Sequence, residues 1–168
     1  LMSVDRNLGP FAEAVEMMGE DFALYVLGKV PEGQQEVFDA FLSAHQQVVY
    51  LGFFNPPSHL HFLQYAYIGL LPYISNYKSK VISPLNVLYC APNKIYEYAG
   101  FGVPMVGTDV LGLRIPFEKY NIGVCCESLE PSSISEKLLY VDARHDEMAS
   151  GCKAFCDETD LDSIVADI

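Results

Sequence analysis

The stretch Ala91-Pro92-Asn93-Lys94-Ile95-Tyr96-Glu97-Tyr98-Ala99-Gly100-Phe101-Gly102-Val103-Pro104-Met105-Val106 decides the fold. Pro92 suits the first turn of a helix, where its missing N–H would have no intrahelical partner anyway. Good helix formers and one carboxylate follow, and Gly102 stands where a C-terminal cap is needed before an apolar strand. A helix that starts in a loop between two strands offers free backbone N–H groups at its N-terminus, and anions bind there. Glu97 lies about one turn further along. The element is therefore expected to hold a diphosphate at its tip and a pair of ribose hydroxyls on its side. The plain alternative is an ordinary helix of an α/β protein with Glu97 in solvent.

Outward from this stretch the chain alternates between two periodicities. Leu8, Phe11, Ala12, Val15 and Met18 recur at helical spacing, which predicts an amphipathic helix near residues 6 to 19. Phe22 to Leu27 is a nearly continuous apolar run ended by Gly28, as in a strand buried on both faces. Glu36 to Ala44 reads as a helix with Val37, Phe38, Phe41 and Leu42 inward, and Val48 to Phe53 as the next strand. Ser58 is placed to N-cap a short helix through Ala66, and Tyr67 to Pro72 makes a third strand. Tyr73 to Ala91 has no clean period, and loops of that length in compact domains are usually functional or mobile. Beyond the Asn93 helix come strands at Val103 to Gly107 and Ile122 to Cys126, a short helix near Pro116 to Tyr120, and helices from Pro131. Strands alternating with helices imply an α/β fold, a Rossmann-like parallel sheet flanked by helices. Ligands in such sheets sit beyond the carboxyl ends of the strands. Gly28, Phe53 to Asn55, Pro72 and the start of the Asn93 helix all fall at that edge.

Composition narrows the function. A chain of 168 residues is one domain by size and long enough to bury a core. No apolar run approaches the ~18 to 20 residues of a bilayer span, so the chain reads as soluble, and no export signal is evident near Leu1. A formal charge of −12 argues against a nucleic-acid partner, which demands a basic face. It is compatible with a nucleotide, for which a helix N-terminus and one or two local cations suffice. Cys90, Cys125, Cys126, Cys152 and Cys156 form no C-x-x-C pair and read as reduced thiols. Cys152 and Cys156 share a helix face, whereas Cys125 and Cys126 point to opposite sides of a strand. Neither pair makes a zinc site. His59 and His61 follow Pro56-Pro57-Ser58 at what looks like a helix start, where residues two apart face different directions, so no metal is expected.

The wording of the opening stretch resembles the donor-binding half of retaining GT-B glycosyltransferases, many of which carry Pro-Asn-Lys, two residues, Glu-Tyr, and then Gly-x-Pro. Other pieces fall in the family's order: Asp5-Arg6-Asn7-Leu8 opening a helix, Tyr25 to Lys29 ending a strand, Val48 to Phe53, Ile68 to Pro72, and Asn121 to Val124. The resemblance covers nearly the whole chain. It implies that residues 1–168 are one half of a GT-B fold, with the first strand of this half and the N-terminal acceptor-binding domain missing. It also implies a substrate rather than a cofactor, namely a UDP-, GDP- or other nucleotide sugar, and a glycan or lipid-linked acceptor held by the missing domain. Such enzymes work without a DxD-bound metal, and this sequence has no such motif. The expected setting is cytoplasmic, peripheral at the inner face of the membrane through the missing domain.

The resemblance assigns roles to particular residues. Glu97 corresponds to the ribose-binding glutamate. Asn93 and Lys94 fall where helix N-terminal amides meet the diphosphate, and because Pro92 has no N–H, these two supply the backbone donors. Arg6 and Lys94 are the expected catalytic cations, stabilising charge on the leaving diphosphate. Gly28, Phe53 and Phe54 lie at strand ends that border the donor, with Asn55 beside them. One departure is Tyr89, which stands eight residues before Glu97 where a second, sugar-contacting glutamate is usual. Gly100 replaces a larger helix former, at ~1 kcal/mol, and is expected to permit a closer approach of the next element. The competing expectations are a sugar-nucleotide epimerase of the same architecture and a non-catalytic nucleotide-binding module. A pyridine-dinucleotide enzyme is disfavoured, because no G-x-G-x-x-G follows a strand.

Overall fold

The structure is a computed structural model, and it describes residues 8–73 and 93–159. The elements run α1 (Gly9–Met18), β1 (Leu24–Leu27), α2 (Gln35–Ala44), β2 (Val48–Gly52), a 3₁₀ helix (Ser58–Tyr65), β3 (Gly69–Leu71), α3 (Asn93–Gly100), β4 (Met105–Thr108), α4 (Leu111–Tyr120), β5 (Gly123–Cys126), α5 (Pro131–Asp142) and α6 (His145–Glu158). All strand pairing among the described residues is parallel, in two ladders, β1-β2 and β3-β4-β5. Helices flank the strands, as the alternation of apolar runs and helical spacing predicts.

The pleat sorts the core into two layers. In the larger ladder Leu70, Val106 and Val124 stand in register and, with Cys126, face α1 and α5, where Phe11, Ile134, Leu138 and Val141 are buried. Gly69, Met105 and Gly123, then Leu71, Gly107 and Cys125, face the opposite layer of α3, α4 and α6, with Ile95, Leu113, Phe117 and Cys152. Adjacent residues of a strand point to opposite faces. Cys125 and Cys126 thus divide between the two layers as expected, and Cys152 and Cys156 both pack in the second. Two glycines on that second face let helices approach the sheet: a Cβ at 69 would meet the Tyr98 ring at 2.7 Å, and one at 107 would meet Leu113 Cδ1 at 2.6 Å. At Gly123 the neighbour is the carbonyl oxygen of Met105, 2.4 Å from where a Cβ would stand.

Several boundaries and faces differ from the sequence reading. β1 is not buried on both faces: Leu24 and Val26 turn to α1, but Tyr25, paired with Val49, is 60% exposed. Both α1 and α2 cover the same face of this ladder, which leaves the Tyr25–Val49 side open. Val37 is not inward and is 64% exposed: α2 packs through Phe38, whose ring meets Tyr50 edge-on at 4.9 Å, with Phe41 and Leu42 beside it, and Val37 falls off that face. The segment after Pro57 is 3₁₀ rather than α, and Pro57, not Ser58, occupies its N-cap position, with no side-chain cap. α4 begins five residues before Pro116 and carries that proline inside it, so Pro116 is not a first-turn residue here. It ends at Asn121, which adopts the left-handed conformation (φ 53°) that asparagine tolerates at a helix end. Leu8 to Met18 keeps the predicted helical face, and the predicted start of that helix, with Arg6, lies outside the described residues, as does the Tyr73 to Ala91 loop beyond Tyr73.

Candidate functional site

α3 is built as its sequence predicts. Gly102 (φ 69°) follows the helix, its N–H donating to the Ala99 carbonyl at 2.9 Å while the Val103 N–H donates to the Tyr98 carbonyl at 3.0 Å. These are the paired bonds of a Schellman cap, and they fix where the helix stops and β4 begins. Inward, Ile95 and Ala99 are buried; outward, Tyr96 is exposed. Gly100 does not allow a closer approach of a neighbour: a Cβ there would meet nothing within 4 Å. Its lack of a side chain is therefore unused by packing.

The helix N-terminus supplies Asn93, which is exposed, and Lys94, which is partly covered and engaged in an interaction of its own. The first backbone N–H groups of a helix have no intrahelical acceptor, and the peptide dipoles add partial positive charge there. Glu97 lies one turn along, with its side chain 30% exposed. His59 of the 3₁₀ helix lies beside it, with Nε2 3.7 Å from Oε1. Pro92 and Tyr89 lie outside the described residues.

The other predicted residues stand at strand ends. Gly28 (φ 151°) closes β1, its N–H donating to the Gly52 carbonyl at 3.0 Å and its carbonyl accepting from the Tyr50 hydroxyl at 2.7 Å. Gly52 (φ 91°) then turns the chain, and Phe53 emerges 54% exposed. Phe54 instead packs on Phe62 of the 3₁₀ helix, ring centroids 4.6 Å apart, so it braces that helix. At the end of β3, the buried Thr108 hydroxyl accepts from the Tyr73 N–H at 3.1 Å and donates to the Tyr73 carbonyl at 2.6 Å, tying the exit of β3 to that of β4. The 3₁₀ helix joins these groups: it follows the β2 exit and packs against α3. Sequence reasoning weighed His59 only as a metal ligand and missed its place beside Glu97. No local signal could have revealed it, since the two residues are brought together by the packing of separate elements.

Two open clefts lie away from Glu97. One of about 360 Å³, running along β5 from Gly123 to Cys125, is lined by Asp109, Arg114, Glu127, Lys137 and Tyr140 among others, with the Arg114 guanidinium forked onto Asp109. That carboxylate raises the Arg114 pKa. Another of about 280 Å³ is largely apolar, between Tyr96, Leu111, Ile115 and Phe155. Neither includes Glu97. Among the described residues no cluster of His, Cys, Asp and Glu could hold a metal ion, and no helix is long and apolar enough to cross a membrane.

No protein-family model matches the chain, and no curated protein sequence is similar to it. Solved structures do match. Over 94% of this chain it is similar to WaaG, a glycosyltransferase involved in lipopolysaccharide biosynthesis, with 19% identity, a TM-score of 0.65 and 40% of that chain covered. Over 91% it is similar to AviGT4, a glycosyltransferase involved in avilamycin A biosynthesis, with 21% identity, a TM-score of 0.57 and 43% of that chain covered. The chain thus spans about two fifths of the length of these enzymes. Parallel ladders flanked by helices, matched over nearly their whole extent, give this chain the fold of one domain of a GT-B glycosyltransferase.

Proposed function

We propose that the chain is the nucleotide-sugar-binding half of a retaining glycosyltransferase, moving a hexose from a UDP-, GDP- or similar sugar to a polysaccharide or glycolipid acceptor. The observation that carries the reading is the position of Glu97 on α3: one turn beyond a helix N-terminus, 30% exposed, on the helix that leads into β4 of a domain with the GT-B fold. Glu97 accepts from the two vicinal ribose hydroxyls. The backbone N–H groups of Asn93 and Lys94 meet the diphosphate, and Phe53 borders the base beside Gly28.

Breaking the bond between the anomeric carbon and the phosphate oxygen leaves positive charge on the sugar and negative charge on the departing diphosphate. Donors fixed in place for that negative charge lower the barrier without reorganising during the reaction. The α3 N-terminus and the cations Lys94 and Arg6 serve this purpose, without a metal. The acceptor binds in a second domain, so the isolated chain provides one wall of the reacting cleft. Without the proximity of donor and acceptor, its turnover of nucleotide sugars stays at background.

Calorimetry with UDP, GDP, the corresponding monophosphates and NAD tests the reading. A nucleoside diphosphate is expected to bind with a dissociation constant of roughly 1 μM to 1 mM, more tightly than its monophosphate. Absence of binding, or preference for NAD, overturns it.

A further inference from the structure

We propose that His59 is a positioning residue for nucleoside-diphosphate binding, its ring N–H orienting the Glu97 carboxylate toward the ribose. This inference rests on the reading of Glu97 as the ribose acceptor. The two side chains come from different elements and are about equally covered, 31% and 30% exposed, with Nε2 and Oε1 3.7 Å apart. The other ring nitrogen, Nδ1, is buried and has no hydrogen-bond partner among the described residues. A proton on Nδ1 would be a buried donor without an acceptor, an expensive arrangement. In the tautomer that avoids this, the ring N–H lies on Nε2, which faces Glu97. The separation of 3.7 Å is longer than a hydrogen bond, so the proposed bond forms by a torsion of the partly exposed Glu97, which leaves the second carboxylate oxygen for the sugar.

The ring is held for this role. The 3₁₀ helix opens with the Ser58 N–H donating to the Asn55 carbonyl at 2.8 Å and the Leu60 N–H donating to the Pro57 carbonyl at 2.9 Å, and Phe62 anchors it on Phe54. The same helix packs on α3, so the contact is between two fixed elements. An unbraced glutamate would have to lose rotamer freedom on binding, and His59 removes part of that loss beforehand.

The test is calorimetry with UDP and GDP, followed by the 2′-deoxy form of whichever binds more tightly, on wild type, His59→Ala, His59→Gln, Glu97→Ala and the double alanine variant. His59→Ala is expected to weaken the ribose nucleotide by about 3- to 30-fold, somewhat less than the loss of a full hydrogen bond to a charged group, because the histidine acts through Glu97. His59→Gln, whose amide nitrogen can stand in for Nε2, restores binding to within about 3-fold of wild type. Against the 2′-deoxy nucleotide the His59→Ala effect shrinks, and the double variant binds no more weakly than Glu97→Ala. A merely structural histidine would weaken both nucleotides alike, resist rescue by glutamine and add in full to Glu97→Ala; any of these results overturns the proposal while leaving Glu97 in the site. If wild type binds no nucleoside diphosphate, or Glu97→Ala binds as wild type does, the underlying reading fails and the role of His59 with it.

Discussion

The ring of Tyr98 lies against Gly69, so close that a Cβ at 69 would stand 2.7 Å from both Cγ and Cδ2 of the tyrosine. The contact seats α3 on β3, one residue from Glu97. Because Cγ is near the root of the side chain, the ring cannot swing clear without moving the helix. Gly69→Ala is therefore expected to destabilise the domain by about 1–3 kcal/mol through overpacking. It should also weaken nucleoside-diphosphate binding in the molecules that remain folded. Urea denaturation and calorimetry measure the two effects, and a fully stable variant with unchanged affinity would show that α3 is not seated by this contact.

Gly100→Ala should act in the opposite direction. A Cβ at 100 meets nothing within 4 Å, and the position is helical and exposed, so alanine reduces the freedom of the unfolded chain without a steric penalty. A gain of about 0.5–1 kcal/mol in unfolding free energy is expected, with nucleotide affinity unchanged. A loss of stability would mean that the end of α3 tolerates no side chain there.

Burial pushes the Cys125 and Cys152 thiols up to about 12 and that of Cys126 up to about 11, with Asp109 adding to the effect at Cys125. Thiolates are the reactive form, so these three should resist iodoacetamide at pH 8.5 in the folded protein and react once it is unfolded. The sign for stability follows. The unfolded chain loses these protons near the ordinary thiol value of 9.0, earlier than the folded one, so stability is full below that pH and falls as pH rises toward about 12. Site-resolved mass spectrometry and urea midpoints at pH 7.5 and 9.5 check this, and Cys152→Ala should lessen the fall. Rapid labelling of Cys152 in the native protein would contradict it.

How far the sequence could be read depended on the range of the forces involved. The cap at Gly102 was legible because only local backbone geometry decides it, and the opposed sides of Cys125 and Cys126 follow from the pleat alone. α1 was legible because Phe11, Ala12 and Val15 repeat at one spacing against one surface. Val37 and Tyr25 were not, because their exposure depends on how few elements cover the β1-β2 ladder, a property of topology rather than of local pattern. Pro116 misled for a related reason: proline suits a first turn, but the preceding residues, beginning with Leu111 and including the buried Leu113, already pack as helix. The positions of Asn93 and Glu97 at the start and one turn along α3 could be read from the motif, whereas the approach of His59 to Glu97 depended on two elements meeting in space.

If α3 holds a nucleoside diphosphate with Glu97 on its ribose, as proposed, the Glu97→Ala variant loses that contact. Calorimetric titration of UDP and GDP into the wild-type chain and this variant should show binding weakened by roughly 1 to 3 kcal/mol, the loss of hydrogen bonds to a charged acceptor, with the urea midpoint retained. Equal affinity of variant and wild type would remove Glu97 from the site and contradict the account.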